Sequence, residues 1–197
     1  MYPTDLLVLI EQLKKLPGVG EKTAERLAIF VTTQMNKDEV YKMSEALNSV
    51  KDNLRLCKIS HVITDGEISK IVLDEKRDHS TIMVVADSKD VFMMEKMQTY
   101  YGQYHVLGGL IDFSRGITHE DLNVDTLKLR INENVTEIII ATNGTVEGEL
   151  TAQYIKALFE EEDILISRLA YGLPVGSDLS YADTLTLTKA VENRQKY

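Results

Sequence analysis

"TEIIIATNGTVEGELTAQYIKALFEE", residues 136–161, reads as a short buried strand followed at once by a helix. The same order stands upstream, where "STIMVVAD" (80–87) leads into the helical "SKDVFMMEKM". Downstream, "ILISRLAYG" (164–172) makes a third strand. Strands alternating with helices imply a parallel sheet with helices on its faces. Between the first two units, "YHVLGGLIDFSRGITHEDLNVDTLKLRI" is loop-rich, with Gly108-Gly109 as its hinge. The tail "SYADTLTLTKAVENRQ" reads as a short strand and a closing helix.

Before residue 55 the period is helical. Leu6, Leu9, Ile10, Leu13 and Leu16 share one face, Thr4 is the expected N-cap, and Pro17 ends the helix. A second helix is expected from about Glu21 to Met35. Asn36 with Glu39 opens a third, whose apolar face is Val40, Met43, Leu47, Val50 and Leu54. Between this helical part and the sheet, β-branched residues in "CKISHVITDGEISKIVL" (57–73) flank "TDGE", a turn signal for a hairpin. The fold class is therefore α+β / α/β: a three-helix N-terminal part, a small hairpin insert, a parallel-sheet α/β part, and a C-terminal strand and helix.

Composition sets the frame for function. Of the 197 residues, 44% are hydrophobic and 27% charged, as in a soluble globular protein. No apolar run reaches the ~18 residues of a membrane span, and the N-terminus lacks the order of a signal peptide. A single cysteine, Cys57, excludes an internal disulfide, and the expected location is cytoplasmic. The formal charge of −9 is uneven, with −1 in residues 1–53 and −8 in the remaining 144. A polyanion is therefore expected at the N-terminal end, and a basic partner at the acidic remainder.

The N-terminal end holds a matching device in "LPGVGEKTAERLA" (16–28). Gly18 and Gly20 flank Val19 in the turn between the first two helices. Bare N–H groups and the helix dipole favour an anion at the start of the second helix, and glycine lets a phosphate approach without meeting a Cβ. Lys22 and Arg26, four apart, share the face beside the turn, while Glu21 and Glu25 take the neighbouring face. Lys14 and Lys15 close the preceding helix and reach the same side. This arrangement resembles the helix-hairpin-helix motif, which grips the DNA backbone without reading sequence. The structural alternative is a tight turn between packed helices and nothing more. A dinucleotide fingerprint is excluded, because a helix and not a strand precedes the glycines.

The strand ends of the α/β part carry Asp87 and Asp90, then Glu147 and Glu149. Clustered carboxylates at such ends can hold Mg²⁺ for phosphoryl transfer, or simply cap helices. "ATNGTVEGE" (141–149) resembles the signature of Toprim domains, the α/β module of topoisomerases, primases and some nucleases. Catalytic members of that family end the first strand in a glutamate and a later one in Asp-x-Asp. Those positions fall here on Ala86, Asn143 and Thr145, so the resemblance implies a site without catalysis or metal.

Taken in order, the parts resemble the RecR family of bacterial recombination mediators. "MYP" at the start, "YHVLGG" (104–109), "ATNGTVEGE" and "GLPVGSDLSYAD" (172–183) carry the likeness along nearly the whole chain. The resemblance implies a helix-hairpin-helix DNA-binding domain at 1–54, a degenerate zinc-finger hairpin at 55–79, a Toprim-like domain at 80–175 and a C-terminal segment at 176–197. It implies a non-enzymatic mediator that assembles as a homo-oligomer, a dimer or tetrameric ring around DNA, and acts with RecO and RecF to help load RecA at gaps. Contacts to DNA fall on Gly18, Gly20, Lys22, Arg26, Lys14 and Lys15, and contacts to RecO on Glu147, Glu149, Asp87 and Asp90. Relatives usually carry four zinc-binding cysteines, and the matching positions here are Cys57, Ser60, Ser69 and Val72. One thiolate cannot make a tetrahedral zinc site, so no cofactor is expected, and the apolar Ile59, Val62, Ile63, Ile68, Ile71 and Val72 are left to hold the hairpin. Tyr171 stands where relatives often have an arginine. The alternative reading is a Toprim-type metal-dependent nuclease, and a third is a protein-interaction adaptor with a silent hairpin motif.

Overall fold

A computed structural model describes residues 2–170, 173, 176 and 178–194, with the side chain of Leu185 excepted. It divides into two compact units, Met1–Leu54 and Arg55–Tyr197.

The first unit is three helices, α1 (Thr4–Leu13), α2 (Glu21–Gln34) and α3 (Lys37–Asn53). Helix α1 starts at Thr4 itself, with Pro3 in the N-cap position and no side-chain cap, so Thr4 is not the cap the sequence led us to expect. The fixed φ of proline suits the entry to a helix, which lets the chain begin one residue earlier. The helix also stops at Leu13, three residues before Leu16, and tightens into turns ahead of Pro17. Ile10, Ala24 and Ala28 are buried between α1 and α2, and Leu6, Leu9, Leu13 and Val19 pack around them. The two alanines let the helix axes approach closely. Helix α3 opens on a full capping box: Asn36 accepts from the Glu39 N–H at 2.9 Å, and Glu39 accepts from the Asn36 N–H at 2.8 Å. Yet α3 buries no residue of its own.

The second unit is built on a four-stranded sheet. Its strands are β3 (Asp78–Val85), β4 (Gly102–Val106), β5 (Glu137–Ile140) and β6 (Leu165–Arg168), in the order β4-β3-β5-β6, with every pair parallel. Helix α5 (Ser88–Met97) follows β3, and α7 (Val146–Leu158) follows β5. Successive side chains of a strand point to opposite faces, and the core divides accordingly. On one face Ile82, Val84, Ile138 and Ile140 meet Ala152 and Ile155 of α7 and Leu127 of the short helix α6 (Val124–Lys128). On the other, Met83, Val85, Tyr104 and Val106 meet Val91 of α5 and Val62.

Strand β4 corrects the sequence reading, in which this stretch is loop. All five of its residues are buried, but Gln103 and His105 interrupt the apolar run by which a buried strand is recognised. The insert also differs. Strands β1 (Arg55–Leu56) and β2 (Ile63–Thr64) pair antiparallel, so the hairpin turns through Cys57–Val62, one step before "TDGE". His61, with φ of 57°, supplies the left-handed residue of that turn. Residues 70–73 form a short helix, α4 (Lys70–Leu73), because the Ser69 hydroxyl accepts from the Val72 N–H and caps it. At the C-terminus the described residues show a 3-10 turn at Leu179–Tyr181 and helix α8 (Thr184–Glu192), where a strand was expected first. Asp183 caps "TLTLT" into the helix through the Thr186 N–H. Tyr171 lies outside the described residues.

Candidate nucleic-acid interface

The turn between α1 and α2 separates the two glycines by what each one does. Gly18 has φ of 78°, a conformation that L side chains rarely adopt, so the turn itself requires it. Gly20 has φ of −80° and is the N-cap of α2, a conformation open to any residue. A Cβ at Gly20 would meet nothing within 4 Å. Neither backbone strain nor packing within the unit explains that glycine. What its absent side chain keeps clear is the approach from outside to the first turn of α2, where no side chain caps the free N–H groups.

Lys22 and Arg26 are both exposed beside this opening, and among the described residues neither has an ion-pair partner. Lys14 differs: its ammonium bonds Glu11 at 2.9 Å, a hydrogen bond and charge pair that raise its pKa. Lys15 donates to the neutral Gln12 at 2.8 Å and keeps its charge uncompensated. Two unpaired cations therefore flank the amides, a third lies in the turn after α1, and Lys14 is partly neutralised.

A second candidate lies at the carboxyl ends of β3 and β5, a cleft of about 500 Å³ that gathers Ala86, Asp87, Asn143, Thr145 and Glu147. The three positions matched to Toprim ligands do converge, and they offer a methyl, an amide and a hydroxyl. The Thr145 hydroxyl is already engaged, accepting from the Gly148 N–H as the cap of α7. Asp87 and Asp90 form a capping box for α5, with the Lys89 N–H on Asp87 at 3.0 Å and the Asp87 N–H on Asp90 at 3.1 Å. Glu149 pairs with Arg168 at 2.8 Å. Arg168 also donates to Thr142 at 3.3 Å and to the Asn143 carbonyl at 3.4 Å, and so pins the loop that lines the cleft. Sequence reading gave Arg168 no such role, since 25 residues separate it from Asn143. Glu147, half-buried, is the carboxylate of the four that neither caps a helix nor pairs with a described residue. Among the described residues no three His, Cys, Asp or Glu side chains converge as a metal site.

The insert brings the four former ligand positions to one place. The Cys57 sulfur, fully buried, accepts the Ser60 N–H at 3.4 Å and the Ser69 N–H at 3.3 Å. Burial pushes the Cys57 thiol up, but the Ser60 side chain and the amides of Ser60, Ser69 and Ile59 outweigh it and bring the pKa down to about 7. The Ser60 hydroxyl is buried and has no hydrogen-bond partner within ordinary geometry, so the two amides are the donors that meet the sulfur. One sulfur, two hydroxyls and the alkyl group of Val72 do not fit zinc, which needs four N, S or carboxylate ligands. Apolar cover comes from Val62, buried in the sheet core, with Ile71 against it. Ile63, expected to share that task, is 41% exposed because it faces outward from β2.

Comparison with known proteins bears on all three places. Residues 7–51 match the family described as RecR, helix-hairpin-helix; residues 80–170 match the Toprim domain; residues 172–195 match RecR, C-terminal. A protein of Phytoplasma mali is 48% identical over 193 residues, covering 96% of this chain and 93% of its own length. Another of Streptococcus mutans is 48% identical over 196 residues, covering 98% of each. One of Enterococcus faecalis is 47% identical over 196 residues, covering 99% of this chain and 98% of its own length. All three are named Recombination protein RecR. The fold is thus that of a helix-hairpin-helix unit joined to a Toprim-type sheet. The chain belongs to the RecR family.

Proposed function

We propose that this chain is a DNA-binding recombination mediator without catalytic activity, acting in the cytoplasm. The observation that carries the proposal is the opening at Gly20. A glycine that neither strain nor packing requires stands before free helix amides, with Lys22 and Arg26 unpaired beside it. A DNA phosphate fits there, held by backbone amides and cations, and such contact is independent of base sequence.

The Toprim-type cleft then serves recognition and not hydrolysis. Its three matched positions supply no carboxylate for a divalent ion, and of the acids around it Asp87, Asp90, Asp112 and Glu149 already cap or pair. Glu147 remains as the contact for a basic surface, and RecO is the partner we assign to it. RecF and RecA complete the proposed pathway. The family's zinc is absent, for want of ligands. The exposed apolar face of α3 is covered by a second copy of the chain, as a clamp of two or four subunits requires.

The test is fluorescence anisotropy on gapped duplex DNA at low salt, with the wild type beside a Lys22→Ala, Arg26→Ala double variant. Binding should fall at least about tenfold in the variant, which lacks two charge-assisted hydrogen-bond donors. Unchanged retention would favour the adaptor reading. Cleavage of the DNA in Mg²⁺ or Mn²⁺ that Glu147→Gln abolishes would favour the nuclease.

A further inference from the structure

Helix α5 turns one face to the sheet and leaves the opposite one bare. Val91 is fully buried, and Met94 packs beside it against a cluster that holds Met83, Val85, Tyr104 and Val106. Residues three and four apart share a helix face, so Lys89, Phe92, Met93, Lys96 and Met97 form a single stripe on the far side. All five are exposed, Phe92 by 44%, Met93 by 54% and Met97 by 53%. A helix face that only meets water is polar. Three large apolar side chains together on one such face mark an interaction surface.

The charges of α5 are sorted in the same way. Its two acids both serve the fold of the unit. Asp90 accepts the Asp87 N–H at 3.1 Å in the capping box, and Glu95 accepts the Tyr104 hydroxyl at 2.8 Å and pairs with Arg77. Lys89 and Lys96 have no ion-pair partner among the described residues. The outward stripe therefore carries cations and apolar groups without a carboxylate, although residues 54–197 hold a net charge of −8.

That combination selects its partner by sign and by apolarity together. Lysines repel a basic segment. A nucleic acid would meet two cations within a strongly acidic unit, and the methionines offer no ring for a base to stack on. Phenylalanine and methionine are enriched in protein interfaces, and the flexible thioether fits itself to irregular apolar partners. We propose that the outer face of α5 docks an acidic, amphipathic segment of a partner protein. Its apolar side chains lie on Phe92, Met93 and Met97, and its carboxylates meet Lys89 and Lys96. This reading is independent of the DNA contact at α2 and of the basic partner assigned to Glu147.

The experiment is methyl NMR on the full chain labelled at methionine, with the synthetic peptide acetyl-EELLEEFLEELLEE-amide as probe. The methyl signals of Met93 and Met97 should move saturably with this peptide. The same peptide with lysine for every glutamate should leave those two signals in place. Phe92→Ala should weaken the acidic peptide about tenfold, as loss of an aromatic anchor does. Lys96→Glu should weaken it about fivefold, by exchanging one exposed charge pair for a repulsion. No saturable shift, equal shifts with both peptides, or unchanged affinity in both variants would overturn the proposal. Two other occupants are read in the same signals. A thymidine oligonucleotide that moves Met93 and Met97 in the Lys22→Ala, Arg26→Ala variant, more tightly than the peptide does, would assign the face to nucleic acid. Movement on dilution of the chain alone, with a fall in mass by light scattering, would assign it to a second copy. Either result also overturns the proposal.

Discussion

Gly20 and Gly18 sit two residues apart and answer to different demands, and a substitution at Gly20 isolates the functional one. Serine is a good N-cap and would bond the amides that α2 leaves open. Gly20→Ser should therefore raise the thermal stability of the helical unit slightly, by roughly 0.3 kcal/mol, while weakening DNA binding. Calorimetric melting and anisotropy on the same sample check both halves; a variant that gains stability and keeps its affinity would remove the amides from the interface. Gly148 makes the opposite kind of demand. A Cβ there would lie 1.9 Å from the Asn143 carbonyl oxygen, a backbone atom that cannot step aside. Gly148→Ala should cost about 1–3 kcal/mol by forcing helix α7 off the cleft loop, measurable by urea unfolding. The cations at 22 and 26 were legible in the sequence, because residues four apart share a helix face. The role of Arg168 was not, since only the fold brings β6 against the loop after β5.

Among the elements, the insert shows what remains when metal ligands are missing. Its turn keeps two amide-to-sulfur hydrogen bonds at Cys57, and a thiolate accepts such bonds more strongly than a thiol does. The Cys57 pKa falls from 9.0 to about 7 in the folded chain. A depressed acid contributes stability that is fully present above its unfolded pKa and is lost as pH falls through the folded one. Stability of the second unit should accordingly climb from about pH 7 to about pH 9 through this group, and Cys57→Ser should flatten that climb. Denaturant melts at several pH values read it directly; parallel curves for both proteins would contradict the assignment. Elements with one clear period were readable in the sequence, as was the capping box of α3. Those read wrongly were decided by polar side chains, some with distant partners and some through a single local cap. Strand β4 is buried despite Gln103 and His105, because Ile71, Asn123 and Arg130 supply hydrogen bonds that no local pattern announces. Residues 70–73 became helix through the single cap of Ser69.

At the scale of the whole molecule, the face of α3 is the feature a single chain leaves unexplained. Val40, Met43, Leu47, Val50 and Leu54 form one apolar stripe, as their spacing predicts, yet they stand 38–61% exposed. Sequence periodicity identifies an apolar face but not what covers it. If a second copy does, Leu47→Glu should lower the oligomer mass measured by light scattering without unfolding the subunit, since α3 buries nothing within its own unit. An unchanged mass would remove this face from the assembly. The division of charge, −1 against −8, is also a property of the whole chain. On the proposed reading it directs a polyanion to the helical end and leaves the sheet to basic partners.

The central claim is that DNA is held at the first turn of α2 by Lys22, Arg26 and free amides. The most direct measurement is the salt dependence of duplex binding, wild type against Lys22→Ala, Arg26→Ala. Removing two cations that each neutralise a phosphate should reduce the slope of log K against log salt by roughly 1.8 for each chain engaged. A variant whose slope and affinity both equal the wild type's would place the nucleic acid elsewhere on the molecule and contradict the account.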